Sequence, residues 1–348
     1  VWAMTFHSAC CRILRRDIER LGYTRSFTIY DTADSERVMK DIAKDMGLDD
    51  KTFPARYILN IISREKDKMI TPERMIESAE NTGDLRLLPI ARAYKRYQTQ
   101  LKENNALDFD DIILLTVKLL QENEDIRLYY QKKFRYVLVD EYQDTNHMQY
   151  LLTSLLAGGY ENICVVGDDD QSIYKFRGAT IKNILDFENQ YKHARVIKLE
   201  QNYRSTQVIV DAANSLIAKN SARIPKECYS KGDVGEKIRL IQAYTEQEEA
   251  VLVASSIISR IHSVSAQYQD FAILYRTNAQ SRALEEALRK RNLPYVIYSG
   301  NSFFERAEVK DMMAYFKLAV NVNDDESFKR VVNKPARGIG DTSVAALM

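Results

Sequence analysis

The chain has 348 residues, of which 45% are hydrophobic and 28% charged, and its formal net charge is +1. That length favours two or more packed units, the balance is that of a globular protein, and near-neutrality excludes a globally basic nucleic-acid binder, so any basic surface must be local. No apolar run approaches the roughly 20 residues needed to span a bilayer. Cys10 and Cys11 are adjacent, Cys164 and Cys228 are isolated and the four histidines are scattered, so neither a disulfide framework nor a zinc spacing is present and a reducing cytoplasm is the expected setting.

In chain order, Val1 to Phe6 reads as the end of a buried strand, and Ser8 as the cap of a helix from Ala9 to Leu21. Arg12, Arg15, Arg16 and Arg20 recur on that helix at helical spacing. With Arg25 they outnumber Asp17 and Glu19 in the first 30 residues, so the segment reads either as a site for a phosphate backbone or as a solvated face. From 31 to about 105 helix formers and charges dominate. Ala33–Met46, Pro54–Asp67, Thr71–Thr82 and Leu87–Asn104 read as helices of an insertion between two parts of a sheet domain. Asp108, Asp110 and Asp111 then open an amphipathic helix, Phe109 to Gln121, where acids suit the helix dipole.

The apolar run Tyr136 to Val139, stopped abruptly by Asp140 and Glu141, predicts a buried parallel strand that delivers two carboxylates to its carboxyl end. Ligands of open α/β sheets sit at such ends, and paired acids there suit a magnesium–nucleotide site, although a solvated turn is an equal reading for the acids alone. A helix from Asn146 to Leu156 follows. A second strand, Asn162 to Val166, runs into Gly167-Asp168-Asp169-Asp170-Gln171-Ser172-Ile173-Tyr174-Lys175-Phe176-Arg177-Gly178. The three aspartates lack the alternating ligand spacing of a calcium loop. Gln171 could sense a phosphate oxygen, and Phe176 between Lys175 and Arg177 makes a base-stacking platform.

A third strand, Arg195 to Leu199, leads to Asn202-Tyr203-Arg204-Ser205 and a helix from Gln207 to Ala218. Arg204 there is placed to reach a γ-phosphate or to pair with a carboxylate, and Tyr203 to stack on a base. Residues 221–236 read as an exposed connection. A second α/β unit follows, with strands at Ile238–Ala243, Phe271–Tyr275 and Pro294–Tyr298 and helices at Glu246–Ile261 and Ala279–Arg289. Helical pattern returns from Glu308 to Val320, and Gly338-Ile339-Gly340 precedes a last helix start.

Four blocks occur in the order found in one family: Thr5-Phe6-His7-Ser8, Asp140-Glu141-Tyr142-Gln143-Asp144-Thr145, Gly167-Asp168-Asp169-Asp170-Gln171-Ser172-Ile173-Tyr174 and Asn202-Tyr203-Arg204-Ser205. The chain resembles the superfamily 1 DNA helicases of the UvrD/Rep/PcrA type over essentially its whole length. The resemblance implies an α/β fold with two RecA-like parallel-sheet cores of the P-loop NTPase type. Residues 1–30 and 106–206 would form the first core, 31–105 its helical insertion, 207–305 the second core and 306–348 the start of a second helical insertion. It implies ATP and Mg2+ as cofactors. Asp140 would hold the metal through water, Glu141 would activate the attacking water, and Gln143 and Gln171 would contact the terminal phosphate or its water. Tyr203 would stack on adenine, and Arg204 would act on the γ-phosphate. Phe6, His7, Tyr174, Phe176 and Arg177 would lie along single-stranded DNA, with Phe176 where many relatives carry tryptophan.

The resemblance implies 3′ to 5′ unwinding in repair or replication, with single-stranded DNA, single/double-strand junctions and repair or replication proteins as partners and no membrane. One departure stands out: none of the twelve glycines is followed by lysine, so the Gly-x-x-x-x-Gly-Lys-Ser/Thr phosphate loop is not in these residues. The expectation is therefore a piece of a longer helicase that binds and hydrolyses ATP weakly by itself. The alternatives are a motor subunit of a helicase–nuclease and a single-stranded DNA-binding module without ATPase activity.

Overall fold

The computed structural model describes residues 1–175, 178–220, 223–298 and 307–347, and the chain divides into two compact units. The first comprises residues 1–198, 220–226 and 307–348, and the second residues 199–219 and 227–306.

In the first unit α1 runs Phe6–Asp17, and a single 3₁₀ turn continues it to Leu21. Its cap is Thr5, whose hydroxyl accepts from the Ser8 amide at 3.3 Å, so the helix starts three residues earlier than the periodicity indicated and no strand precedes it. The helices α2 (Thr32–Asp45), α3 (Ala55–Asp67), α4 (Pro72–Thr82) and α5 (Leu87–Glu103) lie within one or two residues of the sequence reading. Asp31 opens α2 with a reciprocal capping box to Asp34. These helices close a core around Met39, Ile58, Ile62, Tyr94 and Tyr97.

A two-residue parallel pair, β1 (Thr28–Ile29) and β2 (Ala106–Leu107), ties this helical layer to α6 (Phe109–Glu122). The apolar face of α6 packs with α1, α7 (Glu124–Lys133) and α8 (His147–Ala157) into a second core that includes Ile13, Leu14, Leu119 and Leu152. Sequence periodicity did not show α7. Only Ile126 and Tyr130 of its ten residues are buried, so its apolar spacing is too sparse to read.

Between α7 and α8 lies β3 (Val137–Val139), paired in parallel with β4 (Ile163–Val165), as the apolar runs required. The expected burial holds for one face only: Val139 is buried, whereas Leu138 is 75% exposed and Tyr136 is exposed beside it. Two short helices, α9 (Lys182–Leu185) and α10 (Phe187–Gln190), follow. The expected strand Arg195–Leu199 forms no ladder among the described residues.

The second unit contains β5 (Gln201–Asn202) paired in parallel with β6 (Tyr229–Ser230), and the helices α11 (Gln207–Ile217), α12 (Glu246–Val264) and α13 (Ser281–Lys290). Its core is small, with Ala250, Ala254, Ala287, Leu288 and Leu293 at its centre. The strands expected at Ile238–Ala243, Phe271–Tyr275 and Pro294–Tyr298 are not formed, and Leu274, expected to be buried, is 94% exposed. The β-branched pattern is present there, but no described segment supplies a ladder partner, and a strand without its neighbour has no hydrogen bonds to hold it.

Three last helices, α14 (Ala307–Val320), α15 (Asp325–Val331) and α16 (Asp341–Leu347), pack with the first unit. Asn321 donates from one amide to Thr28 Oγ1 at 3.0 Å and to the Asn104 carbonyl at 2.9 Å, while the Tyr30 hydroxyl donates to Asp324 at 3.1 Å. These buried polar groups satisfy one another and fix α14 and α15 against β1.

Candidate functional site

The first acidic strand end is built by a turn in the backbone. Glu141 has φ +51°, a left-handed conformation that a non-glycine residue adopts at a cost of roughly 1 kcal/mol or more. The turn brings the Tyr142 amide back to the Val166 carbonyl at 2.9 Å, while the Val166 amide donates to the Val139 carbonyl at 2.8 Å. The ends of β3 and β4 are thus laced together just where each runs into acids. Asp140 and Glu141 are both exposed, and Asp140 Oδ1 accepts from the Glu141 amide at 3.0 Å. Beyond them Asn146 caps α8 in a reciprocal box with Gln149.

Gln143 is the side chain that joins the two strand ends. It is 1% exposed, donates from Nε2 to Glu141 Oε2 at 2.7 Å, and accepts at Oε1 from the Asp168 amide at 2.9 Å. Gln171 donates to Asp168 Oδ2 at 2.7 Å. One continuous path therefore runs from Glu141 through Gln143 and Asp168 to Gln171. Gly167 makes this approach possible, because a β-carbon there would lie 2.6 Å from Gln143 Oε1 and 2.9 Å from Ile184 Cδ1. Near Glu141, one buried oxygen of Asp144 has no hydrogen-bond partner among the described residues, and burial together with Glu141 raises that carboxyl above its ordinary range.

The other predicted site residues are placed as follows. Phe6 is half-buried against the core of α1 and α6. His7 is also half-buried, its ring edge-on to Phe109 at 5.9 Å, and burial lowers its pKa against the opposing pull of Asp110. Tyr174 is partly exposed, and Phe176 and Arg177 lie outside the described residues. Tyr203 and Arg204 belong to the second unit, where Tyr203 is 86% exposed and Asn202 Oδ1 accepts the amides of Arg204 and Ser205 at 2.9 and 2.8 Å. The arginines of α1 and of the 3₁₀ turn that continues it are engaged within the protein: Arg12 lies over Trp2, Arg15 over Phe27 and Arg16 over Tyr129, and Arg20 pairs with Asp125.

The acids at the start of α6 are a cap, as their spacing indicated, and Asp108 accepts the Asp111 amide at 2.8 Å. They are also more than a cap. Lys66, 1% exposed, lies 2.7 Å from Asp108 and 2.8 Å from Asp111. Burial and the facing Asp108 push Asp111 up to about 7. Next to this cluster, burial and Asp110 push Asp67 up to about 6, and Asp67 accepts from Asn146 Nδ2 at 2.8 Å. Sequence reasoning missed Lys66 and Asp67, whose partners lie more than 40 residues away.

The family model described as the UvrD/REP helicase N-terminal domain matches residues 1–192, and that described as the UvrD-like helicase C-terminal domain matches residues 197–348. The chain belongs to the UvrD/REP helicase family. It is similar to the ATP-dependent DNA helicase PcrA of Staphylococcus epidermidis strain ATCC 12228, with 48% identity over 344 residues, 99% of this chain and 47% of that protein. The PcrA of Staphylococcus aureus strain NCTC 8325 is 47% identical over the same shares. The chain thus spans about half the length of these relatives. Among the described residues, no helix is long and apolar enough to cross a membrane.

Proposed function

We propose that this chain is the motor portion of an ATP-dependent DNA helicase that moves 3′ to 5′ along single-stranded DNA, with two RecA-like cores working as a pair. The observation that carries the reading is the hydrogen-bonded path Glu141–Gln143–Asp168–Gln171, which makes one site of two strand ends that the sequence marks separately.

Asp140 and Glu141 offer adjacent exposed carboxylates in an all-oxygen donor set, which fits a hydrated magnesium ion on a nucleotide. Asp140 would hold that ion through water; when bound, the ion neutralises charge on the phosphates. Glu141, its carboxylate fixed by the Gln143 amide, would take the proton of the attacking water. Gln171 would read the terminal phosphate, Arg204 would approach the same phosphate, and Tyr203 would stack on the adenine. Phe6, His7, Tyr174, Phe176 and Arg177 would line the DNA path, where stacking worth roughly 1–3 kcal/mol per base is firm enough to hold and weak enough to release. Because these residues contain no Gly-Lys-Ser/Thr phosphate loop, the 348-residue stretch alone would hydrolyse ATP weakly.

The test is Glu141→Gln in the longest natural polypeptide that carries this chain. The variant should bind a fluorescent ATP analogue as the unsubstituted protein does, while DNA-stimulated hydrolysis falls by at least about 100-fold, the range of a lost general base. Full turnover in the variant would refute the assignment of Glu141.

A further inference from the structure

Asn220 and residues 223–226 group with the first unit, although residues 199–219 before them and 227–298 after them belong to the second. The sequence reads this stretch as part of an exposed connection. Instead, Arg223, Ile224 and Lys226 are half-buried against the turn Asp168–Gln171. Lys226 Nζ lies 2.7 Å from Asp168 Oδ1 and 3.1 Å from Asp170 Oδ2, and it pairs with Asp169 as well. Arg223 grips Asp170 with two parallel hydrogen bonds of 2.9 and 2.8 Å, and the Ile224 amide donates to Asp169 Oδ2 at 2.6 Å. Lys198 Nζ donates to the Pro225 carbonyl at 2.6 Å.

Three carboxylates whose oxygens lie within 4.8 Å of one another repel strongly, and Asp169 is only 5% exposed. The buried member of such a cluster needs a cation or hydrogen-bond donors beside it, because a buried acid without a partner costs several kcal/mol. The ammonium of Lys226 instead meets an oxygen of each of the three carboxylates. With Arg223 and the Ile224 amide it holds the acids of the turn together. That turn in turn sets where the Asp168 amide meets Gln143 and where Gln171 meets Asp168.

We propose that Lys226, seconded by Arg223, is a positioning residue for ATP hydrolysis: it holds the Asp168–Gln171 turn in the register that keeps Gln143 on Glu141. The proposal rests on the reading of Glu141 as the base. Lys226 itself touches no reacting atom; it acts through three successive contacts, Lys226–Asp168, Asp168–Gln143 and Gln143–Glu141, with Asp168–Gln171 as a branch.

The experiment measures single-stranded-DNA-stimulated ATP hydrolysis in the longest natural polypeptide carrying this chain, comparing the unsubstituted protein with Lys226→Met, Lys226→Arg and Arg223→Met. Lys226→Met should lower kcat on the order of tenfold or more while KM for ATP stays within about twofold, as expected when positioning is lost and binding is kept. Lys226→Arg, which keeps the charge, should recover most of the rate. Arg223→Met, which leaves Lys226 in place, should show a smaller loss of kcat in the same pattern and covers the case in which Lys226→Met does not fold. Unchanged kcat in Lys226→Met or Arg223→Met, or an arginine variant as slow as the methionine one, overturns the proposal. A failure of the functional reading is distinct, since it appears as an unsubstituted protein with no DNA-stimulated hydrolysis.

Discussion

Glu141 and Asp67 are carboxylates held in places that cost the fold something. At Glu141 the cost is backbone strain, and it turns the chain so that the acid stands at the strand end with its partner Gln143 fixed beside it. At Asp67 the cost is electrostatic: burial and Asp110 disfavour the charged form, and the folded pKa rises to about 6 from 3.8. A group whose folded pKa is raised contributes stability that is fully present below its unfolded pKa and is lost as pH rises through the folded value. Asp67 should therefore weaken the fold between about pH 4 and 6. Asp67→Asn keeps an acceptor for Asn146 and removes the charge. It is expected to flatten stability across that window and to raise stability at pH 7.5 by about 1 kcal/mol, a figure discounted for solvent screening at this half-buried position. Chemical denaturation at pH 4 and 7.5 checks both outcomes, and an unchanged pH slope would count against the shifted carboxyl.

The strand ends depend on a single small residue. Gly167→Ala would drive a β-carbon into Gln143 Oε1 and Ile184, so either the glutamine bridge breaks or the turn shifts. A loss of about 1–3 kcal/mol in thermal unfolding, with weaker DNA-stimulated turnover, is expected; a variant as stable and active as the parent would show that the close approach is dispensable. At this scale the helices were legible because their apolar spacing is dense: α2 to α6 were placed from residues such as Val38, Met39 and Ile42. The start of α1 was not, since Ser8 is by type the better cap and yet the Thr5 hydroxyl takes the role. The acidic ends of β3 and β4 were also legible, as apolar runs stopped by charge. What joins them was not, because Gln143 is one polar residue among several and its partner at Asp168 lies 25 residues away. The strap at 223–226 was hidden for a related reason: proline, glycine and charge mark a connection in sequence, and only folding shows that Arg223 and Lys226 have acids to meet.

The two units differ in the depth of their cores. The first buries Ile13, Leu14, Met39, Ile58, Tyr94 and Tyr97 completely or nearly so, whereas the second is centred on alanines and two leucines. Local opening is easiest where few apolar side chains are buried. Amide hydrogens of α12 and α13 should therefore exchange faster than those of α5 and α6 by at least about tenfold, a gap of roughly 1.4 kcal/mol in opening free energy. Mass-spectrometric hydrogen exchange resolves this, and equal protection would show that the small core is as well held as the large ones. Against that background the ammonium of Lys226 takes on a wider meaning. A loop wrapped around a dissociable metal can be emptied by a chelator or refilled when the ion supply changes. A loop wrapped around a tethered amine answers to neither, because the ammonium that pairs with Asp168, Asp169 and Asp170 is covalently part of the chain.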